Sequence, residues 1–113
     1  MWKIKYYETP TGSSPVFDFI NTLAPKAQAK VANTFELLKE FGLAIGRSHT
    51  KKIARTPIWE LRILGQDNLR IFYIVETGKT FLLLHGFAKK TQKTPKREIQ
   101  TAIKRLEEYK SRS

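Results

Sequence analysis

A cluster of lysines follows an apolar run near the end of the chain. The run FLLL occupies residues 81–84, and the segment HGFAKKTQKTP after it places Lys89, Lys90 and Lys93 ahead of Pro95. A short loop that ends at a proline restricts where its side chains can lie. Because lysine binds phosphate groups well, this loop is a candidate site for a phosphate ligand.

Two arginines are placed where they can meet at one end of a sheet. The runs IWELRIL and LRIFYIV are typical of strands, and the segment GQDN between them suits a hairpin. Arg62 lies late in the first run and Arg70 begins the second, so antiparallel pairing brings them to the same end. Alternatively, each arginine is solvated or ion-paired, and Glu60, on the same side of the strand as Arg62, is the obvious partner for Arg62.

Lysine and arginine can support RNA cleavage without a metal ion. When the ribose 2′-hydroxyl attacks its own phosphate, the enzyme supplies a proton acceptor, a proton donor and cations around the phosphorus. Arginine binds phosphate oxygens in pairs, and a lysine crowded by other cations has its pKa lowered from about 10.4 toward neutrality. The segment KKTQK provides this crowding.

His85 can be interpreted in two ways. At the end of an apolar strand it is either a general base or a neutral core histidine bonded to the backbone. Strand periodicity places it on the same face as Phe81, Leu83 and Phe87. That mostly apolar face favours the core interpretation.

Metal ligands are sparse. The chain has no cysteine and only two histidines, His49 and His85, so no zinc-binding spacing exists. The strand region offers Glu60, Asp67 and Glu76 as carboxylates, and they form no close cluster in the sequence. Neither a metal nor another cofactor is expected.

Composition indicates a single basic domain over residues 1–113, with no apolar run near the length of about 18 residues that spans a membrane. The first residues lack the apolar region of a secretion signal, so the expected location is the cytoplasm. The net charge is +11, and residues 51–113 hold fifteen Lys/Arg against six Asp/Glu. This basic half is expected to face nucleic acid.

The predicted order of elements is β-α-α-β-β-β-α, an α+β fold with an antiparallel sheet packed against helices. The segment WKIKYYE alternates as a strand, and Pro15 and Pro25 open two helices, the second ending at Gly42. Three strand-like runs follow as a meander, with FLLL in the sheet interior. Thr94 is expected to cap a final helix that begins at Pro95.

The segments WELRI, RIFYIV and LLLHGFAKKTQKTPKREIQTA, together and in this order, resemble the HigB-like branch of the RelE/ParE toxin superfamily, a group related to phage-derived proteins. The specific match covers residues 59–106. The resemblance implies a RelE-like domain that acts as the toxin of a type II toxin–antitoxin system, a ribosome-dependent endoribonuclease that cuts mRNA through 2′-hydroxyl attack. It also implies a cognate antitoxin of the helix-turn-helix type, with operator DNA bound only through the complex.

The resemblance also assigns residues. Arg62 and Arg70 stand where relatives place basic residues on successive strands, and Lys90 falls near the basic residue after the last strand. Several relatives carry Tyr or His just beyond that strand as an acid or base, but this chain has Pro95 and Lys96 there. The contenders for proton transfer are therefore Lys89, Lys90, Lys93 and His85. The candidate catalytic residues are Arg62, Arg70, Lys90, Lys89 and His85, and the candidate RNA-binding residues are Lys51, Lys52, Lys93, Lys96 and Arg97.

Two other functions fit the same sequence. One is a non-catalytic inhibitor of DNA gyrase, as on the ParE-like side of the superfamily. The other is a plain RNA-binding module that uses aromatic stacking. Trp59, Phe72 and Tyr73 are the aromatic candidates, but they lie in strands rich in aliphatic residues and are expected in the core.

Overall fold

A mixed five-stranded sheet and three α-helices make up the fold in a computed structural model that describes residues 1–46, 48–63, 65–66 and 68–112. Asp67 and the predicted last residue of IWELRIL, Leu64, lie outside these described residues. The elements are β1 Lys3–Tyr6, α1 Pro15–Asn21, α2 Pro25–Phe41, a short 3-10 helix Gly42–Ile45, β2 Thr50–Lys52, β3 Trp59–Arg62, β4 Leu69–Glu76, β5 Thr80–Ala88 and α3 Lys96–Arg112.

The strand order across the sheet is β1-β5-β4-β3-β2. The β2–β3, β3–β4 and β4–β5 pairs are antiparallel, which confirms the predicted meander, but β1 pairs with β5 in parallel. The expectation of four strands in an antiparallel sheet was therefore wrong in two respects. The strand Thr50–Lys52 was missed because three residues with two lysines show no alternation. The direction of β1 was missed because side-chain alternation does not encode strand direction.

The predicted helix boundaries are largely confirmed. Prolines 15 and 25 open α1 and α2, and Gly42 follows the last residue of α2. Gly42 has a φ of 55°, and the Trp2 indole occupies the space that a β-carbon would need. Helix α3 begins at Lys96, and the hydroxyl of Thr94, predicted as its cap, donates to a carboxylate on β3. Within the described residues, no helix combines the length and apolar character required to cross a bilayer.

Hydrophobic clusters lie on both sides of the sheet. Helices α1 and α2 cover one face with a cluster that includes Val16, Val31 and Leu38, while α3 covers the other with Ala102 and Leu106. The run FLLL is buried on both faces, because Phe81 and Leu83 belong to the first cluster and Leu82 and Leu84 to the second. Its predicted place in the sheet interior is confirmed by the position of β5 between β1 and β4.

An irregularity between β4 and β5 changes which way His85 faces. Phe72 pairs with His85 and Tyr73 pairs with Leu83, so Leu84 is an extra residue in β5. Beyond this bulge the alternation is shifted, and both His85 and Phe87 contact Phe72 on the α3 side. The expectation that His85 shares a face with Phe81 and Leu83 was wrong, because it assumed an unbroken period of two.

Strand β1 is bonded to the C-terminal part of α3 as well as to β5. The Tyr7 hydroxyl donates to Glu108 Oε1 over 2.6 Å, and Lys5 Nζ donates to the Tyr109 hydroxyl over 2.8 Å. Burial raises the pKa of Tyr7, and its hydrogen bond to Glu108 adds to that rise. These contacts join the first strand to the last helix at the end of the sheet opposite the basic loop.

Candidate nucleic-acid interface

Arg62 and Arg70 are direct neighbours across the β3–β4 pair. Their α-carbons are partners in the register, one step beyond the Leu61–Ile71 pair. Side chains opposite each other in an antiparallel pair have β-carbons about 4.5–5.5 Å apart, and like charges there repel. Such a pair of cations favours any anion that binds between them.

A buried carboxylate holds one arginine of this pair. Glu60 is only 1% exposed, its Oε2 lies 3.5 Å from Arg70 Nε, and its Oε1 accepts the Thr94 hydroxyl over 2.9 Å. Arg70 Nη1 also donates to the Leu69 carbonyl over 2.9 Å. Because a buried carboxylate requires a cation or hydrogen-bond donors, Glu60 fixes the position of the Arg70 side chain. The sequence had suggested Arg62 as the ion-pair partner of Glu60, and this expectation was wrong, because Glu60 pairs with Arg70.

Arg62 is exposed at the end of β3. Its backbone amide donates to the His49 carbonyl over 2.7 Å, and its side chain forms no ion pair with a described carboxylate. The two arginines therefore differ in kind, since one is fixed by the core and the other is available to a ligand from solvent.

The lysine loop leaves the sheet beside Arg70. Leu69 pairs with Ala88 at the end of β5, and the amide of Lys89 donates to the Asn68 carbonyl. The Thr91 hydroxyl donates to the Lys93 carbonyl over 2.6 Å and folds the loop back on itself. Because β4 lies between β3 and β5, the arginine pair and the loop occur at the same end of the sheet.

Three adjoining grooves connect these cations. The first, of about 590 Å³, is lined by Arg70, Lys89 and Lys90 together with polar residues. The second, of about 420 Å³, shares Lys89 with the first and adds Lys51, Lys52 and Lys93. The third, of about 510 Å³, shares Lys51 and Lys52 with the second and adds Arg62. No Asp or Glu is among the described residues that line them, and the three together are called the basic groove below.

A family model of the phage-derived Gp49-like proteins (DUF891) matches residues 18–107. The chain belongs to the Gp49-like family. This family is toxin-like and of the RelE/HigB type, and the matched residues include the arginine pair, the lysine loop and all of strand β2. A comparison with curated proteins gave no match.

Three of the candidate residues of this Gp49-like chain lie outside the lining of the basic groove. Lys96 and Arg97 are exposed on the first turn of α3, after Pro95. His85 lies under α3 and stacks on Phe87, with ring centroids 5.5 Å apart. The structure thus groups Arg62, Arg70, Lys51, Lys52, Lys89, Lys90 and Lys93, and places the other three elsewhere.

Both ring nitrogens of His85 are engaged by side chains of α3. Nε2 lies 2.8 Å from Glu98 Oε1, and Nδ1 lies 3.0 Å from Arg105 Nη1. A guanidinium only donates, so Nδ1 accepts and Nε2 carries the hydrogen that Glu98 accepts. Burial lowers the pKa of His85; the hydrogen bond to Glu98 opposes this and the Arg105 charge reinforces it. The ring is thus held neutral by side chains, where the core interpretation had expected a backbone partner.

The three aromatic residues considered for base stacking fall into two groups. Phe72 is fully buried and Tyr73 is 3% exposed, and burial raises the pKa of Tyr73 to about 12, which confirms both as core residues. Trp59 is only half-buried and lines the third part of the groove. Among the described residues, no group of three or more His, Asp or Glu lies close enough to hold a metal ion.

Sequence reasoning missed two positions in this Gp49-like candidate site, the buried Glu60 beside Arg70 and the half-buried Trp59 in the groove lining. A carboxylate between Trp59 and Leu61 in a strand is a usable signal, because a charge at a buried position needs a partner. The identity of that partner depends on the diagonal geometry between β3 and β4, which requires the register. For Trp59 the usable signal is Pro57, two residues earlier, which indicates that Trp59 lies at the end of a strand, as it does at the start of β3.

Proposed function

We propose that this Gp49-like protein is the toxin of a type II toxin–antitoxin pair and cuts mRNA on the ribosome in the cytoplasm. In this proposal the RelE-like resemblance extends to fold and activity. The observation that supports it best is the Arg62–Arg70 pair, in which Arg70 lines the first and Arg62 the third of three adjoining basic grooves without described carboxylates in their lining. A groove of this kind suits the phosphodiester backbone of a single strand.

The proposed reaction assigns a role to each group of cations. The ribose 2′-hydroxyl attacks the adjacent phosphorus, the bond from phosphorus to the 5′-oxygen breaks, and the products are a 2′,3′-cyclic phosphate and a 5′-hydroxyl. Arg70, fixed by Glu60, and Arg62 bind the phosphoryl oxygens, where charge develops in the transition state. Lys89 and Lys90 border Arg70 in the same groove; one of them accepts the proton of the 2′-hydroxyl, and the other donates a proton to the leaving 5′-oxygen. His85 keeps α3 against β5 and takes no proton.

The end chemistry of the RNA products tests this mechanism. With purified translating ribosomes, the protein is expected to leave fragments that end in a 2′,3′-cyclic phosphate or a 3′-phosphate and begin with a 5′-hydroxyl. Cleavage should persist in excess chelator once the magnesium requirement of the ribosome itself is controlled. Sequencing of both fragment ends is the measurement, and fragments with 3′-hydroxyl ends would contradict 2′-hydroxyl attack. Inhibition of DNA gyrase without any RNA cleavage would favour the gyrase inhibitor instead.

The proposal includes a cognate antitoxin encoded beside the toxin, a helix-turn-helix protein through which the complex binds operator DNA. Fifteen Lys/Arg against six Asp/Glu in residues 51–113 would attract an acidic surface on that partner. Long-range attraction raises association rates and is screened by salt, so the association rate constant is expected to fall by about tenfold or more from low to high salt. Stopped-flow association with the neighbouring gene product measures this. A rate that does not change with salt would indicate that the antitoxin avoids the lysine loop.

A further inference from the structure

The edge strand β2 directs its two lysines to opposite faces of the sheet. Lys51 is paired with Glu60, which lies on the α3 side, and Lys52 is paired with Trp59, which packs against the cluster under α1 and α2. Strand β2 has only three residues and ends the sheet on this side. A polyanion that follows these lysines therefore passes around the edge of the sheet.

Trp59 provides an aromatic surface where the basic groove turns around this edge. It lines the third part of the groove with Leu43 and Arg62, and it also lines a further groove of about 520 Å³ that reaches Val75, Glu76 and Lys110. The indole is half-buried, since it packs against the hydrophobic cluster and also lines both grooves.

An exposed lysine lies over this aromatic surface. Lys52 Nζ lies 5.7 Å from the centre of the Trp59 ring, and the Lys52 side chain is exposed. A cation over an aromatic ring at an exposed site is weakly held, whereas a nucleobase stacked on an aromatic side chain binds more strongly. A base can therefore take the place of the ammonium group, which then remains close enough to pair with the phosphate of the same nucleotide.

We propose that Trp59 is a stacking platform for one unpaired base of the RNA, with Lys52 and Arg62 on the adjoining phosphates. This inference rests on the proposed function and adds to it a binding subsite on the far side of the sheet edge. It requires that the RNA be single-stranded and unstacked at this position, because a base within a duplex presents no free face.

Tryptophan fluorescence tests the subsite directly. The chain has two tryptophans, and Trp2 stacks on Phe81 with ring centroids 4.7 Å apart, so Trp2→Phe leaves Trp59 as the sole reporter. The probe is a short single-stranded RNA with 2′-methoxy groups, which cannot be cut by 2′-hydroxyl attack. Its matched control is an abasic phosphodiester chain of the same length. At equal occupancy, measured by anisotropy, the RNA should quench Trp59 severalfold more than the abasic chain.

Substitutions of Trp59 give a second measurement. Trp59→Leu should weaken binding of the RNA about tenfold, equivalent to about 1.4 kcal/mol, and leave binding of the abasic chain unchanged. Trp59→Phe keeps an aromatic face and should retain most of the affinity. The melting temperature of each Trp59 variant shows whether its fold is intact. The fluorescence measurement on Trp2→Phe retains Trp59 and therefore does not depend on the stability of the Trp59 variants.

Equal quenching by the two probes, or none while anisotropy shows binding, would overturn the stacking subsite. Cleavage of mRNA on ribosomes is measured in the same preparations and reports on the proposed function separately. If mRNA is cleaved but the emission of Trp59 does not change, the proposed nuclease activity stands and the stacking subsite is excluded. If neither RNA binding nor cleavage occurs, both proposals fail.

Discussion

Replacing Arg70 by alanine is expected to lower the free energy of unfolding by about 3 kcal/mol. The change removes the cation beside Glu60, whose side chain is 2% exposed, and leaves a buried carboxylate that still accepts from the Thr94 hydroxyl. Removing one partner of a buried ion pair typically costs about 3–5 kcal/mol for this reason. Urea denaturation, with the slope checked for two-state behaviour, gives the value.

A second substitution separates the ion pair from simple loss of packing. Glu60→Gln keeps an oxygen that can accept from Thr94 and removes the buried charge, so Arg70→Ala combined with Glu60→Gln should recover part of the lost stability. If Arg70→Ala alone costs less than about 0.5 kcal/mol, the size of a surface change, Glu60 does not depend on Arg70.

Replacing Arg62 by alanine is expected to reduce mRNA cleavage by at least about tenfold and to leave stability within about 0.5 kcal/mol of the parent. Arg62 is exposed and forms no ion pair with a described carboxylate, so its loss should remove the proposed phosphate-binding group without disturbing the core. A tenfold loss corresponds to about 1.4 kcal/mol of transition-state stabilisation. Single-turnover cleavage on programmed ribosomes measures it.

The control for Arg62 is Lys26→Ala, which removes one positive charge from an exposed position at the start of α2. This substitution lowers the net charge by the same amount as Arg62→Ala. Lys26, however, is not among the described residues that line the basic groove. Cleavage should therefore be close to that of the parent. Equal losses in the two variants would mean that overall charge, and not the arginine pair, determines activity, and full activity of Arg62→Ala would remove Arg62 from the site.

The elements that the sequence predicted well carry strong local signals. Pro15 and Pro25 fix helix starts because a proline ring restricts φ and lacks an amide hydrogen, and Gly42 marks the end of α2. Strand β2 and the direction of β1 carried no such signal. They depend on backbone hydrogen bonds to distant strands, which side-chain patterns do not report.

The same division applies to the site. The proximity of Arg62 and Arg70 followed from a hairpin, which is a local feature, and the register confirms it. The partner of Glu60 and the facing of His85 could not be predicted, since the first requires a diagonal contact across strands and the second requires a bulge at Leu84. Whether these residues act on RNA remains a prediction.

The pairing of β1 with β5 and α3 has a consequence for synthesis of the protein. Lys5 and Tyr109 are 104 positions apart and Tyr7 and Glu108 are 101 apart, so the first strand finds these partners only after the last helix has been made. Contacts between such distant residues form late, because a long loop must close first. A chain truncated before α3 lacks these contacts with the last helix. The fold that carries the basic groove therefore closes only after α3 has been synthesised.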